Sequence, residues 1–204
     1  MPNRGTRRRL QRGGKRLDGE RVTAQLKRAQ CQNLIDATMR AWDAGQPFNR
    51  WITLLWEKGG IAARDNVTAT GRFVKLASDW ARQHGYRLIW AWVQEWGPIN
   101  GSHVHLLLYV PPELNWQFQN MPLRWVKQIL PGRYVAGVLE SHQPDKTLGH
   151  SRWLWGKVHY MLKCSPIAWE QELGMAGCGP KPWGQSCETF GKRLALWQGW
   201  RLLK

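Results

Sequence analysis

Residues 95–110 read EWGPINGSHVHLLLYV, and this stretch decides how the chain is expected to fold. The pattern predicts the end of one β-strand, a tight turn and a second strand that carries His103 and His105. Because alternate strand residues face the same side, both imidazoles project from one face, about 7 Å apart along the strand. Glu95 lies across the turn, where a hairpin brings it to the same face. Two imidazoles and a carboxylate suit a divalent metal ion.

The segments around this hairpin predict an α+β domain. Runs of β-formers and runs with helical spacing alternate along the chain. The predicted strands cover 50–57, 87–96, 102–110 and 133–140, and the helices between them cover 67–84 and 113–130. Pro122 is expected to start a second piece of the later helix. The order is β-α-β-β-α-β, the ferredoxin-like split unit, which predicts an antiparallel sheet with helices on one face.

Three further segments flank this unit. Apolar residues at helical spacing predict an extra N-terminal helix within 17–46, which Gly45 ends. A helix over 151–164 follows the last predicted strand and ends before Pro166. The segment 166–204 is basic and rich in Gly, Pro and Trp, so we expect an irregular extension packed on the domain. Its pattern also allows a short helix at 188–197.

The charge of the chain points to a polyanionic partner. The 204 residues include 30 Lys and Arg against 14 Asp and Glu, which gives a net charge of +16. Nucleic acid is the favoured partner for such an excess, and a solvated basic surface or an anionic membrane is the alternative. Residues 1–16 are basic and nearly devoid of large apolar side chains, which predicts a disordered arm that contacts phosphates. The arm's candidate contacts are Arg4, Arg7, Arg8 and Arg9.

The remaining composition narrows the class of protein. No apolar run is long enough for a transmembrane helix, and the start of the chain lacks the apolar core of a signal peptide. A cytoplasmic protein that is neither secreted nor bound to a membrane is therefore the expectation. Fifteen Trp residues are expected to be mostly core, with a few available to stack on bases. The four Cys residues are expected to be reduced thiols rather than a zinc site.

The helix over 151–164 carries a second group of reactive side chains. Tyr160 and Lys163 are three residues apart and share a helical face with Lys157. A phenol with a pKa of about 10 is a weak nucleophile at neutral pH. A nearby ammonium favours the phenolate, or binds the phosphate that the phenolate attacks. Taken alone, an ordinary amphipathic helix with solvated lysines is the simpler interpretation.

Together these motifs resemble the HUH endonucleases, specifically the replication initiator (Rep) type with one catalytic tyrosine. Three motifs occur in the family's order along residues 48–165, and 47–165 is accordingly expected to be the nuclease domain. They are the apolar strand with Thr at 51–55 (WITLL), His103-Val104-His105 with Glu95 upstream, and Tyr160-x-x-Lys163. Residues 185–193 also look like tails of some bacterial and phage Rep proteins. Leu55 departs from the pattern, since many relatives have a polar residue there.

The resemblance implies a metal-dependent endonuclease that nicks single-stranded DNA, so that rolling-circle replication of a plasmid, phage or virus begins. Mg²⁺ or Mn²⁺ would be held by His103, His105 and Glu95, with His142, His150 and Glu57 as less favoured third ligands. Tyr160 would attack the phosphorus, leaving a 5′-phosphotyrosine and a free 3′-hydroxyl that can later rejoin the strands. Lys163 would stabilise the phenolate or the phosphate. Lys157, Lys192 and Arg193 would contact DNA.

The same resemblance predicts partners and geometry. No phosphate-binding P-loop motif occurs, so a separate helicase is expected to expose the DNA as an origin loop or hairpin. No oligomeric state is predicted. Since Tyr160 comes from a helix and the ligands come from the sheet, the helix over 151–164 must lie across the sheet face that bears His103 and His105.

Three alternatives remain open at the level of sequence. A non-catalytic nucleic-acid-binding module with an RNA-recognition fold shares the strand order, although the chain lacks the aromatic motif of such domains. A metal-dependent phosphodiesterase would use water as its nucleophile. A transposase or relaxase of the HUH class uses the same chemistry, although relaxases usually carry the tyrosine before the His motif.

Overall fold

The computed structural model describes residues 22–144, 147–179, 182–185 and 188–197, which form an α+β fold. The strands are β1 (Val22–Thr23), β2 (Arg50–Leu54), β3 (Trp90–Gly97), β4 (Gly101–Leu108), β5 (Leu139–His142), β6 (Thr189–Phe190) and β7 (Leu194–Leu196). The helices are α1 (Arg28–Asp43), α2 (Asn66–Gln83), α3 (Asn115–Phe118), α4 (Met121–Ile129), α5 (His150–Met161) and α6 (Ile167–Glu172). The basic arm predicted at 1–16, with Arg4, Arg7, Arg8 and Arg9, lies outside the described residues.

The predicted hairpin forms the centre of a five-stranded antiparallel sheet. The strand order is β5-β2-β4-β3-β7, and β1 and β6 form a separate pair. β3 and β4 pair along their whole lengths, which sets Glu95 opposite His103. β4 also pairs with β2, which sets Thr53 opposite His105. The register therefore brings the candidate ligands to one face of the sheet.

Helices α2 and α4 cover the sheet face opposite the candidate ligands. Ile52, Leu106 and Leu108 point to this side and pack in one buried cluster with both helices. In α2, residues four and seven positions after Phe73 are also buried, which is the stripe that a helix presents to a core. Gly85 follows this helix with a φ of 79°, the left-handed conformation that commonly ends helices.

Helices α1 and α5 cover the other face. Trp51, Leu107 and Val93 alternate with the residues of the first cluster, and they pack with both helices in a second buried cluster. The sheet is thus buried on both sides, and the residues of β2 are all buried. The N-terminal helix predicted within 17–46 is present over Arg28–Asp43, although Val22–Thr23 before it is a strand.

Two predicted elements were wrong. The strand expected at 133–140 lies instead at Leu139–His142. Gly137 takes a φ of 82°, and a turn hydrogen bond from Val138 to Val135 occupies the segment before the strand. The short helix allowed at 188–197 is absent from this segment, where β6 and β7 occur and β7 pairs with the edge of β3.

The break expected near Pro122 is confirmed, since that proline lies in the first turn of α4. Within the extension after residue 165, helix α6 is an element that the sequence pattern does not predict.

Cys31 and Cys178 are free thiols, but Cys164 is disulfide-bonded, so the expectation of reduced thiols was wrong for Cys164. Within the described ranges, no helix is long and apolar enough to cross a membrane.

The core on the α2 side gives a stability prediction. Phe73 is fully buried and its ring lies 5.5 Å from that of Trp125 in an edge-on arrangement. Phe73→Ala is expected to lower the free energy of unfolding by about 3–5 kcal/mol, because it removes buried apolar surface and leaves a cavity. Urea denaturation measures the loss. The control is Trp116→Ala, whose side chain is 81% exposed and whose removal should change stability by about 0.5 kcal/mol or less.

Candidate metal centre

Glu95, His103 and His105 form a buried group at the end of the central hairpin. Their exposures are only 2%, 6% and 5%, so bulk water does not satisfy their charges or lone pairs. One carboxylate oxygen, Oε2 of Glu95, lies 3.5 Å from Nε2 of His103 and 3.3 Å from Nε2 of His105. The three ligand atoms lie within 4.8 Å of one another, and no other such group of three occurs in the part of the chain that the structure describes.

The remaining ring nitrogens orient both imidazoles. Nδ1 of His103 lies 2.9 Å from the backbone oxygen of Gly101. Since a carbonyl only accepts, Nδ1 carries a proton, and in the neutral tautomer with that proton the lone pair lies on Nε2. Nδ1 of His105 hydrogen-bonds the hydroxyl of Thr53 at 3.2 Å. Such outer partners fix the tautomer and direction of histidines that bind metals.

The charges of the group also suit a metal ligand set. Burial acts to raise the pKa of Glu95, but His105, His103 and Lys163 together hold it well below its usual range. Burial lowers the pKa of His105, and Glu95 opposes this only in part. The site therefore presents an ionised carboxylate and a neutral imidazole at neutral pH.

Two atoms of the group lack hydrogen-bond partners. Among the described residues, nothing hydrogen-bonds Oε1 of Glu95 or Nε2 of His105, although both atoms are buried. Buried polar atoms without partners are costly and rare. A cation bound between them would satisfy both. Two imidazoles and a carboxylate form a ligand set that several divalent metal ions accept.

Tyr160 and Lys163 lie beside this group, at the end of α5. The ring centroid of Tyr160 is 5.2 Å from that of His105. The ammonium of Lys163 is 3.7 Å from the centroid of the Tyr160 ring and donates a hydrogen bond to Oε2 of Glu95. The prediction that this helix lies across the face bearing His103 and His105 is therefore confirmed.

The pKa of Tyr160 shifts in the direction opposite to the one that neighbouring lysines were expected to cause. Burial raises it, and the carboxylates of Glu95 and Glu140 raise it further. Lys163 does not reverse the shift, since its ammonium is hydrogen-bonded to Glu95. Tyr160 is thus a protonated phenol at neutral pH.

An open cavity of about 750 Å³ gives access to the histidines and to Tyr160. Trp51 lines it and stacks on His105, with ring centroids 4.7 Å apart and an interplanar angle of 18°. The ammonium of Lys157 lies 4.9 Å from the Trp51 ring on the same cavity wall. The sequence places Trp51 and Thr53 in a motif but does not predict that they contact His105. Those contacts depend on the pairing of β2 with β4, which the sequence of either strand alone does not reveal.

The other candidate ligands lie apart from the metal group. His142 lines the cavity from β5, but its exposed side chain is 4.0 Å from Glu140. Nε2 of His150 bonds the backbone oxygen of Phe48 at 2.7 Å. The carboxylate of Glu57 accepts a hydrogen bond from the backbone N–H of Ser102 at the hairpin.

The candidate DNA-binding residues of the extension differ in exposure. Lys192 is exposed. Arg193 is 2% exposed and donates a hydrogen bond of 2.8 Å to the backbone oxygen of Thr23. Burial lowers its pKa to about 10. Arg193 as placed therefore links the extension to β1 rather than offering its guanidinium to solvent.

Comparison with known proteins finds no matching family model, curated protein or solved structure.

The metal centre can be tested without DNA. His105→Ala should abolish measurable Mn²⁺ binding, and Thr53→Val should weaken it by about 10–100-fold, because the valine cannot hold the imidazole by a hydrogen bond. Titration calorimetry or the paramagnetic resonance signal of free Mn²⁺ measures both. His142→Ala is the control, since His142 shares the cavity but not the group, and it should bind Mn²⁺ as the wild type does. Equal binding by His105→Ala and His142→Ala would contradict the assignment.

Proposed function

We propose that the protein is a metal-dependent single-stranded DNA endonuclease of the HUH class, with Tyr160 as the nucleophile. One observation carries the proposal: Tyr160 lies 5.2 Å, ring to ring, from His105 and lines the same open cavity as His103 and His105, which form a buried group with Glu95. A metal group alone is compatible with many hydrolases. A tyrosine from a helix packed across that group favours covalent transfer of a phosphoryl group.

The ferredoxin-like assignment of the domain is part of this proposal. The elements β2-α2-β3-β4-α4-β5 follow the order β-α-β-β-α-β. The strands lie side by side as β5-β2-β4-β3, which is the fourth, first, third and second strand of that unit. This arrangement supports the assignment, with β7 as an added edge strand.

In the proposed reaction, Glu95, His103 and His105 would hold Mn²⁺ or Mg²⁺. When bound, the ion supplies a Lewis acid that withdraws charge from a phosphate oxygen. Lys163 hydrogen-bonds Glu95 and so keeps the carboxylate ionised and directed at the histidines. Thr53 and Trp51 fix the ring of His105.

Tyr160 supplies the covalent step. Its phenol oxygen forms a bond to phosphorus as the bond between phosphorus and the 3′-oxygen breaks. The phenol gives up one proton to solvent and the leaving 3′-oxygen takes up one proton to become a hydroxyl, so no net proton is released. The product is a 5′-phosphotyrosine and a free 3′-hydroxyl, which can reverse the step.

Charge supports DNA as the substrate. The net charge of +16 favours a polyanion, and we propose contacts from Lys157 in the cavity and from the exposed Lys192. The proposed role is initiation of rolling-circle replication at an origin loop or hairpin, with a separate helicase. An RNA-recognition module uses an exposed sheet face, whereas α1 and α5 cover this one.

The proposal is tested by trapping the covalent adduct. A random-sequence single-stranded DNA pool, labelled at the 3′ end, is incubated with protein and Mn²⁺ and resolved on a denaturing gel. Wild type should carry the label, because the tyrosine keeps the 3′ fragment through its 5′-phosphate. The same pool labelled at the 5′ end should leave the protein unlabelled and yield shortened DNA.

Matched tyrosine variants complete the experiment. Tyr160→Phe should form no adduct, and Tyr134→Phe, which changes a tyrosine outside the cavity, should behave as the wild type does. Cleavage that survives in Tyr160→Phe would contradict the proposal and favour a water-dependent phosphodiesterase. Binding without cleavage in every protein would favour the non-catalytic module.

A further inference from the structure

Gly156 is an unusual residue for its position. It lies in the middle of α5, between Trp153 and Tyr160. Glycine inside a helix is destabilising relative to alanine, because it loses more backbone entropy on folding. A glycine in the middle of a helix therefore suggests that a side chain at that position would interfere with a neighbouring group or with a ligand.

The packing of the protein does not supply that reason. A Cβ added at Gly156 would meet only the backbone oxygen of Cys178 at 3.6 Å, which is ordinary van der Waals contact. The backbone of Gly156 is also helical rather than left-handed. Gly179 is different, since a Cβ there would collide with the ring of His159. An alanine would thus fit at position 156 of the protein as it stands.

What Gly156 does is open the cavity beside the nucleophile. Trp153, Gly156, Lys157 and Tyr160 recur at intervals of three and four, so they lie on one face of α5, and all four line the cavity. The facing wall is the short segment 177–179. Gly156 is only partly buried, so a ligand in the cavity can approach the backbone of α5 beside segment 177–179 without meeting a side chain at 156.

The next residue supplies a cation to the same wall. Lys157 is half-buried, and burial lowers its pKa. Its ammonium lies over the Trp51 ring at 4.9 Å. Among the described residues, no carboxylate lies within 4.0 Å of it, although the other ammonium near the site, that of Lys163, is paired with Glu95. Glu140 also lines the cavity, but it forms no ion pair with Lys157. A half-buried ammonium that lines a cavity in this way is suited to an anionic ligand such as a phosphate.

We propose that Gly156 and Lys157 form a nucleotide groove, through which the nucleotide next to the scissile phosphate crosses α5 to reach Tyr160. The sugar-phosphate backbone passes over Gly156, and the adjoining phosphate is bound by Lys157. This inference rests on the proposed function and deepens it, since it names the part of the cavity that holds the substrate strand. Gly156 is a positioning residue for the substrate, not a catalytic one.

The test compares two helix-interior glycines. Gly156→Ala and Gly156→Met are matched with Gly71→Ala and Gly71→Met, because Gly71 lies exposed in α2 with open space around its Cβ position. Both alanine variants should raise Tm by about 2–4 °C, since both remove a helical glycine. With the 3′-labelled random DNA pool and Mn²⁺, Gly156→Ala should lower the rate of adduct formation by about tenfold and Gly156→Met should abolish it. Both Gly71 variants should leave the rate unchanged.

Mn²⁺ binding and adduct formation by the wild type distinguish failure of the groove from failure of the proposed function. Mn²⁺ binding should be unchanged in all four variants, since none touches the ligand group, and loss of Mn²⁺ binding in Gly156→Met would attribute its defect to the metal centre and overturn the groove. Adduct formation by Gly156→Met at the wild-type rate would overturn the groove while leaving the proposed function intact. Absence of any adduct in wild type would instead overturn the proposed function, and the groove with it.

Discussion

The pairing register of β3 and β4 is the constraint on which the rest of the molecule depends. It sets Glu95 opposite His103 and leaves His105 on the same face. Side chains alternate along a strand. If β3 slipped by one residue, Glu95 would therefore point to the α2 side, and apolar residues of β3 would point to the ligand side. The apolar residues on both faces prevent that slip, since each face packs against its own pair of helices. The metal group is therefore held in place by the hydrophobic core.

The same register explains how α5 is held. A buried carboxylate needs charged or hydrogen-bonding partners, and Glu95 obtains them from two imidazoles of the sheet and from Lys163, which follows α5. That ion pair ties the end of α5 to the sheet, three residues from Tyr160. A second link comes from the extension, where Glu170 in α6 bonds His159 at 2.8 Å and the backbone of Trp183 at 2.9 Å. The proposed nucleophile is thus positioned from both sides of its helix.

The sequence predicted elements whose signal is local and missed those that depend on distant pairing. The hairpin, β2 and α2 each carry a clear period and breakers at their ends, and all three were predicted within about three residues. The segment 133–138 contains β-formers, yet Gly137 and the turn before Val138 delay the strand to Leu139. β7 has three residues and forms only because β3 offers an unpaired edge. Its own sequence is equally compatible with a helix.

For the candidate site, too, the sequence predicted the local groupings of residues but not the contacts between distant segments. Alternation along one strand identified His103 and His105, and helical spacing set Lys163 beside Tyr160. Spacing along a helix, however, does not reveal a carboxylate that approaches from the sheet. In the fold, Glu95 binds the Lys163 ammonium, and the pKa of Tyr160 is raised rather than lowered. Lys163 therefore contacts the Glu95 carboxylate directly, and this hydrogen bond helps to orient Glu95 toward His103 and His105. Lys157, which helical spacing predicts only as an accessory to Lys163, is a cation that lines the cavity.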